Sequence, residues 1–167
     1  MRPIARLRLA LVLSALLAAG PAAAFSWTVH TDPAGTRLDL PDYFERVGPG
    51  APDGSGALFR SEDGAAVRVF GSLNLGGVRL PEVLRAVVAQ NEGAFQQVTY
   101  QQARPTWFVL SGYRDEGATI YYTRYALSED GRAISSFEIT FPTALRQTYE
   151  PIVTRMSLRF RVLPASR

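Results

Sequence analysis

Between Gln97 and Phe141 the chain passes through four segments, Gln97–Ala103, Thr106–Tyr113, Ala118–Leu127 and Ala133–Phe141, all rich in aromatic and β-branched residues and joined by short polar turns. Such side chains fit a pleated, half-buried surface, and connections this short return each strand antiparallel to the last. The stretch is predicted to be an antiparallel meander. Ahead of it, Ala57–Arg60 and Ala65–Ser72 read as a further hairpin around Ser61-Glu62-Asp63-Gly64, and the same tetrapeptide recurs at Ser128-Glu129-Asp130-Gly131. Both, together with Asp115-Glu116-Gly117, carry the chemistry of turns in which glycine takes the left-handed position. They lack the alternating oxygen ligands of an EF-hand calcium loop.

Two segments have helical spacing instead. Pro81 and Glu82 are first-turn residues, and Leu80, Val83, Leu84, Val87 and Val88 form one apolar stripe that stops near Asn91 and Gly93. At the C-terminal end Thr143 is placed to cap a helix carrying Leu145, Tyr149, Ile152, Val153, Met156 and Phe160 on one face. Pro151 interrupts it, so the helix is expected to kink near Tyr149 or to restart at the proline. The run Gly48–Gly56 opposes both helix and interior strand, and is expected to be the loop that opens first.

The N-terminus combines Arg2, Arg6 and Arg8, an apolar run from Leu9 to Ala19, and Ala22-Ala23-Ala24. This is the three-part pattern of a secretory signal peptide, too short for a stable membrane span, with cleavage expected near Ala24/Phe25. Residues 1–24 are therefore read as a leader and 25–167 as one α+β domain, periplasmic or secreted. All 15 acidic residues but only 15 of the 18 basic ones follow Ala24, so the domain is formally neutral and offers no basic stripe for nucleic acid. With no cysteine, no disulfide framework supports the fold and the hydrophobic core must suffice.

Catalytic and cofactor patterns fail one by one. His30 is the only histidine and reads as a surface residue, so a multi-histidine metal site is excluded. Ser111 lies inside a strand, without the G-x-S-x-G elbow. The glycines of Gly71–Gly77 precede a helix, but the spacing of a phosphate loop and its lysine are missing. No catalytic residue, metal ligand or cofactor is assigned. Rings crowd two adjacent strands at Trp107, Phe108, Tyr113, Tyr121, Tyr122 and Tyr125, so either helices cover both faces of that hairpin or one face receives a ligand or partner.

The order of elements resembles the PsbP-like family, named for an extrinsic photosystem II subunit and including bacterial envelope proteins and a eukaryotic Ran-binding factor. The resemblance rests on Pro41-Asp42-Tyr43-Phe44 after an opening strand, the glycine-rich loop, the helix after Pro81, the meander, and Tyr149-Glu150-Pro151-Ile152-Val153 leading to Phe160. It implies a central antiparallel sheet packed by two main helices, an α/β/α sandwich, in a family that mostly binds or assists other components, and it transfers no catalytic residue.

The expected function is that of an exported, non-catalytic accessory protein acting on an envelope protein or other cell-envelope component, without a membrane span in its mature form. The alternatives are a small-ligand carrier with a pocket between sheet and helix, and a hydrolase. A three-residue loop at Glu129-Asp130-Gly131 would place Tyr121 opposite Ile139 and Arg124 opposite Ser136, with Arg124 and Glu138 on one face. The candidate partner surface is accordingly Phe108, Tyr122, Arg124 and Glu138.

Overall fold

The computed structural model describes residues 25–52, 56–93 and 96–164; the expected leader 1–24 lies outside them, as do residues 53–55 of the expected loop. The elements in chain order are β1 (Trp27–Thr31), β2 (Thr36–Pro41), β3 (Glu45–Arg46), β4 (Gly56–Arg60), β5 (Ala66–Leu73), α1 (Leu80–Asn91), β6 (Gln97–Arg104), β7 (Trp107–Arg114), β8 (Thr119–Leu127), β9 (Ala133–Pro142), α2 (Arg146–Arg159) and β10 (Arg161–Val162). The meander and both helices thus form where periodicity places them. β9 then returns to pair with β5, a non-local step that joins hairpin and meander into one antiparallel sheet ordered β3-β4-β5-β9-β8-β7-β6. A second sheet, β1-β2-β10, was not legible beyond its opening strand.

Strand alternation sends the side chains of the large sheet to two different cores. On one face Val67, Val69, Phe137, Ile139 and Phe141 meet Tyr149, Ile152 and Met156 of α2, together with Leu38 and Leu40 of the small sheet. On the other, Phe108, Leu110 and Tyr121 meet Leu80 and Val87 of α1. Each strand buries both faces where a helix covers it, which is why rings occur at consecutive positions. Among the described residues no helix is long and apolar enough to cross a membrane.

The two Ser-Glu-Asp-Gly turns do not close alike. In the first, the Ser61 amide bonds to the Ala65 carbonyl at 3.0 Å, closing a three-residue loop, and Gly64 takes the expected left-handed position at φ 90°. In the second, the Ser128 amide bonds instead to the Ala133 carbonyl at 2.9 Å, so Glu129 to Arg132 form a four-residue loop. The Asn74 backbone amide takes the Arg132 carbonyl at 2.7 Å, one step beyond the Leu73–Ala133 pair of the β5–β9 ladder, and its side chain takes the Gly131 carbonyl at 3.0 Å. The β8–β9 register is therefore displaced by one residue from the expected one: Tyr121 faces Thr140, Thr123 faces Glu138 and Arg124 faces Phe137. A one-residue slip exchanges faces, so Arg124 and Glu138 lie on opposite sides of the sheet. At the third turn Asp115 and Glu116 also have positive φ, 53° and 56°, as well as the expected glycine.

At the start of α2, Thr143 does not cap. Its hydroxyl donates to the Gly117 carbonyl at 2.6 Å, tying the helix to the β7–β8 turn. A short 3-10 turn, Thr143–Leu145, leads into α2 at Arg146, and Pro151 sits inside the helix rather than at a restart. His30 is not a plain surface residue: it is half-buried, with its ring 5.2 Å from that of Phe59. Burial lowers its pKa, Arg46 acts in the same direction, and Asp32 opposes both. Because the folded pKa lies below the unfolded value, stability is complete above about pH 6.5 and falls as the pH drops through the folded value. Between pH 7 and pH 5 the denaturation midpoint is expected to decline, and more steeply than in His30→Asn. Parallel pH profiles for the two proteins would contradict this.

Candidate functional site

The two helices are offset along the sheet as well as being on opposite faces. α1 packs on β6, β7 and β8, leaving the β9-β5-β4 half of its face open. α2 packs on β2, β8 and β9, leaving β6 and β7 open on the other side. Each open half borders a cleft along the edge of a helix.

The α1-side cleft has a volume of about 410 Å³ and is walled by Val87, Gln90 and Asn91 from the helix and by side chains of β5, β7, β8 and β9. Its floor is a polar network. Arg114 of β7 grips Glu138 of β9 with both terminal nitrogens, at 3.0 and 2.7 Å. Thr123 donates to the same carboxylate at 3.0 Å, and Arg114 also donates to the side-chain oxygen of Asn91. Asn91 is itself fixed by donating to the Val87 carbonyl at 2.8 Å. The guanidinium lies 4.4 Å above the Tyr121 ring, a cation–π contact. Burial raises the pKa of the Tyr121 phenol, so it stays protonated; its oxygen has no hydrogen-bond partner among the described residues.

This arrangement is suited to recognition. Glu138 accepts three of the about four hydrogen bonds open to a carboxylate, and its charge is paired with a bidentate guanidinium, which fixes the side chain in the cleft floor. Arg68 stands directly across the β5–β9 ladder from Glu138, is exposed, and has no hydrogen-bond or ion-pair partner among the described residues. Two positions along β5, Phe70 is 45% exposed at the cleft mouth. An unpaired arginine beside an open aromatic ring has the composition of a binding hot spot.

The four sequence candidates do not form one surface. Phe108 is buried against α1, stacked on Tyr125 at 4.8 Å. Glu138 lies in the α1-side cleft. Tyr122 and Arg124 lie on the opposite face and share Ser157 of α2, each at 2.8 Å, while Arg124 stacks 4.7 Å from the Trp107 ring. Glu138, expected on the same face as Arg124, pairs instead with Arg114. Arg68, Phe70, Asn91, Arg114 and Thr123 were missed. The β5–β9 pairing that brings Arg68 to Glu138 is non-local, and only the correct hairpin register sets Thr123 opposite the carboxylate. Among the described residues no group of three or more His, Cys, Asp or Glu is arranged to hold a metal.

No protein-family model matches the sequence, and no curated protein does. Solved structures do match. The cyanobacterial PsbP (CyanoP) of Synechocystis superposes with a TM-score of 0.59 at 16% identity, covering 88% of this chain and 98% of that one. LpqN of Mycobacterium tuberculosis, described as involved in cell envelope biogenesis, gives 0.56 at 15%, covering 84% and 92%. The Ran-binding protein Mog1p of Saccharomyces cerevisiae gives 0.52 at 10%, covering 84% and 97%. At these identities the likeness is one of fold, and it agrees with the order of motifs: the chain has a PsbP-like α+β fold.

Proposed function

We propose that the chain is exported and acts as a non-catalytic accessory protein, recognising a protein partner of the cell envelope through the α1-side cleft and the open β5 strip beside it. The observation that carries this reading is the cleft itself, in which a pre-organised Arg114–Glu138–Asn91 floor lies beside the exposed side chains of Arg68 and Phe70. The fold neighbours are in keeping with it, one being described as Ran-binding and another as involved in envelope biogenesis. A partner presenting an acidic side chain beside an apolar one complements the two rim residues.

Expressed in a Gram-negative host, the full chain is expected to yield a product whose N-terminus lies at or within a few residues of Phe25. Mass spectrometry of the purified protein decides this, and an intact Met1–Ala24 segment on membrane-bound protein would count against export.

Arg68→Glu and Phe70→Ala change exposed side chains, so both variants should keep the native circular dichroism spectrum and melting temperature. Each should weaken crosslinking to the envelope partner at least ten-fold, the order expected for hot-spot truncation. Equal capture by both variants and the unaltered protein would remove the cleft from the reading. The cleft volume also favours a second reading, a carrier of a small polar ligand. A soluble ligand that raises the melting temperature in a concentration-dependent way, with no protein captured, would select the carrier.

A further inference from the structure

We propose that a second cleft, of about 450 Å³ between the small sheet and the C-terminal half of α2, binds the phosphate of an anionic phospholipid and seats this edge of the protein on a negatively charged membrane surface. Four guanidinium groups, from Arg37, Arg155, Arg159 and Arg161, line it against one carboxylate, Asp39. In a region from Phe25 onward whose formal charges balance, this is a marked concentration of one sign.

Two of the pairings are unfavourable as they stand. Arg37 and Arg161 are direct cross-strand partners in the β2–β10 ladder, so two like charges share one face of adjacent strands. Arg155 and Arg159 repeat the conflict at i,i+4 on α2. Asp39 offsets one charge, at 3.5 Å from Arg155. Arg37 and Arg159 are exposed and have no hydrogen-bond or ion-pair partner among the described residues. An anion held between the strands and the helix converts both repulsions into attraction, and guanidinium forks match the geometry of phosphate oxygens.

The cleft is also partly built in advance. Arg155 is stacked 4.1 Å from the Trp27 ring as well as paired with Asp39. Arg161 donates to the Leu158 and Phe160 carbonyls at 2.7 and 2.8 Å, which fixes its position at the end of α2. Ordering entropy is thereby already spent on two of the four arginines.

The rim separates a lipid from a free anion. Val29 and Leu163, in the cleft wall, are 48% and 47% exposed, and Leu158 on α2 is 67% exposed. Apolar side chains flanking arginines have the arrangement of an interfacial site, in which guanidinium groups stand at the level of the phosphates and the apolar groups reach the acyl boundary. No membrane-crossing helix is needed for attachment of this kind. The site lies on the opposite side of the large sheet from the α1 cleft, so the surface proposed for a protein partner remains free.

The test uses the full chain expressed in a Gram-negative host, purified with its N-terminus read by mass spectrometry and sedimented with vesicles. Partition into phosphatidylcholine vesicles containing phosphatidylglycerol should exceed partition into phosphatidylcholine alone and should weaken with added salt. Arg37→Ala and Arg159→Ala should each lower it about five-fold, and Leu158→Ser should lower it further, all with melting temperatures no lower than that of the unaltered protein. Arg68→Glu, in the other cleft, should leave it unchanged, which separates failure here from failure of the partner reading. Equal partition into neutral vesicles, or insensitivity to both arginine changes, overturns the proposal. So does competition by inorganic phosphate with no effect of Leu158→Ser, which would make this a site for a soluble anion.

Discussion

Tyr149→Ala is expected to cost about 3–5 kcal/mol of stability, the range for removing a large ring from a packed core. Tyr149 is fully buried, stacks on Phe141 at 4.8 Å and meets Phe44 edge-on at 6.4 Å. It therefore stands where α2, β9 and the loop after β2 converge. Its hydroxyl reaches the Ser61–Gly64 turn and donates to Asp63 at 2.8 Å, fixing the β4–β5 hairpin to the helix. Burial raises the pKa of the phenol, and acceptance by Asp63 raises it further. Burial also tends to raise the pKa of the Asp63 carboxyl, but bonds from Ser61, Tyr149 and the Ala65 amide hold it below the usual carboxylate range.

Tyr149→Phe isolates the hydroxyl. It keeps the ring and should cost about 1 kcal/mol, because Asp63 is open to solvent and the bond is screened. The sign with pH follows from the lowered carboxyl. Its contribution is complete above about pH 4 and is lost as pH falls through the folded value, so wild type and Tyr149→Phe should converge in strongly acidic solution. Chemical denaturation across pH measures both effects. An alanine variant within 1 kcal/mol of wild type would mean that α2 is not anchored through this ring.

Gly112→Ala is expected to cost about 3 kcal/mol, at the upper end of overpacking effects, despite adding a single methyl group. Gly112 sits in the middle of β7 between Val98 of β6 and Tyr121 of β8. A Cβ built there lands on the Gln97 carbonyl oxygen and comes within 3.0 Å of the Tyr121 ring. The oxygen belongs to the backbone, so the strand itself must move. β6 is the edge strand and already carries a register shift between Val98 and Tyr100, which makes it the element that yields. Amide exchange should consequently lose protection along Gln97–Arg104 while β5 and β9 keep theirs. Ser111→Ala is the control: it removes only the bond from the hydroxyl to the Tyr121 carbonyl at 2.9 Å and should cost about 1 kcal/mol. Equal behaviour of the two variants would show that the close approach at Gly112 does not constrain the sheet.

The strands of the meander, the β4–β5 hairpin and both helices follow from the residue pattern alone, because alternation and helical spacing record locally which side chains must leave water. The order of these elements also indicated the PsbP-like fold. The remaining features depend on partners distant in sequence. Identical Ser-Glu-Asp-Gly turns close differently, and at the second Asn74, distant in sequence, takes the Gly131 and Arg132 carbonyls. That single residue of register moves Glu138 from Arg124 to Arg114 and divides the expected surface between two faces. The β5–β9 pairing then sets Arg68 beside the cleft, and the offset of α1 from α2 leaves the cleft open. Like-charged arginines on β2 and β10 meet only because the last strand returns to the first sheet. Periodicity encodes which side of an element is buried, while the identity of the neighbour across a ladder depends on how all the elements pack at once.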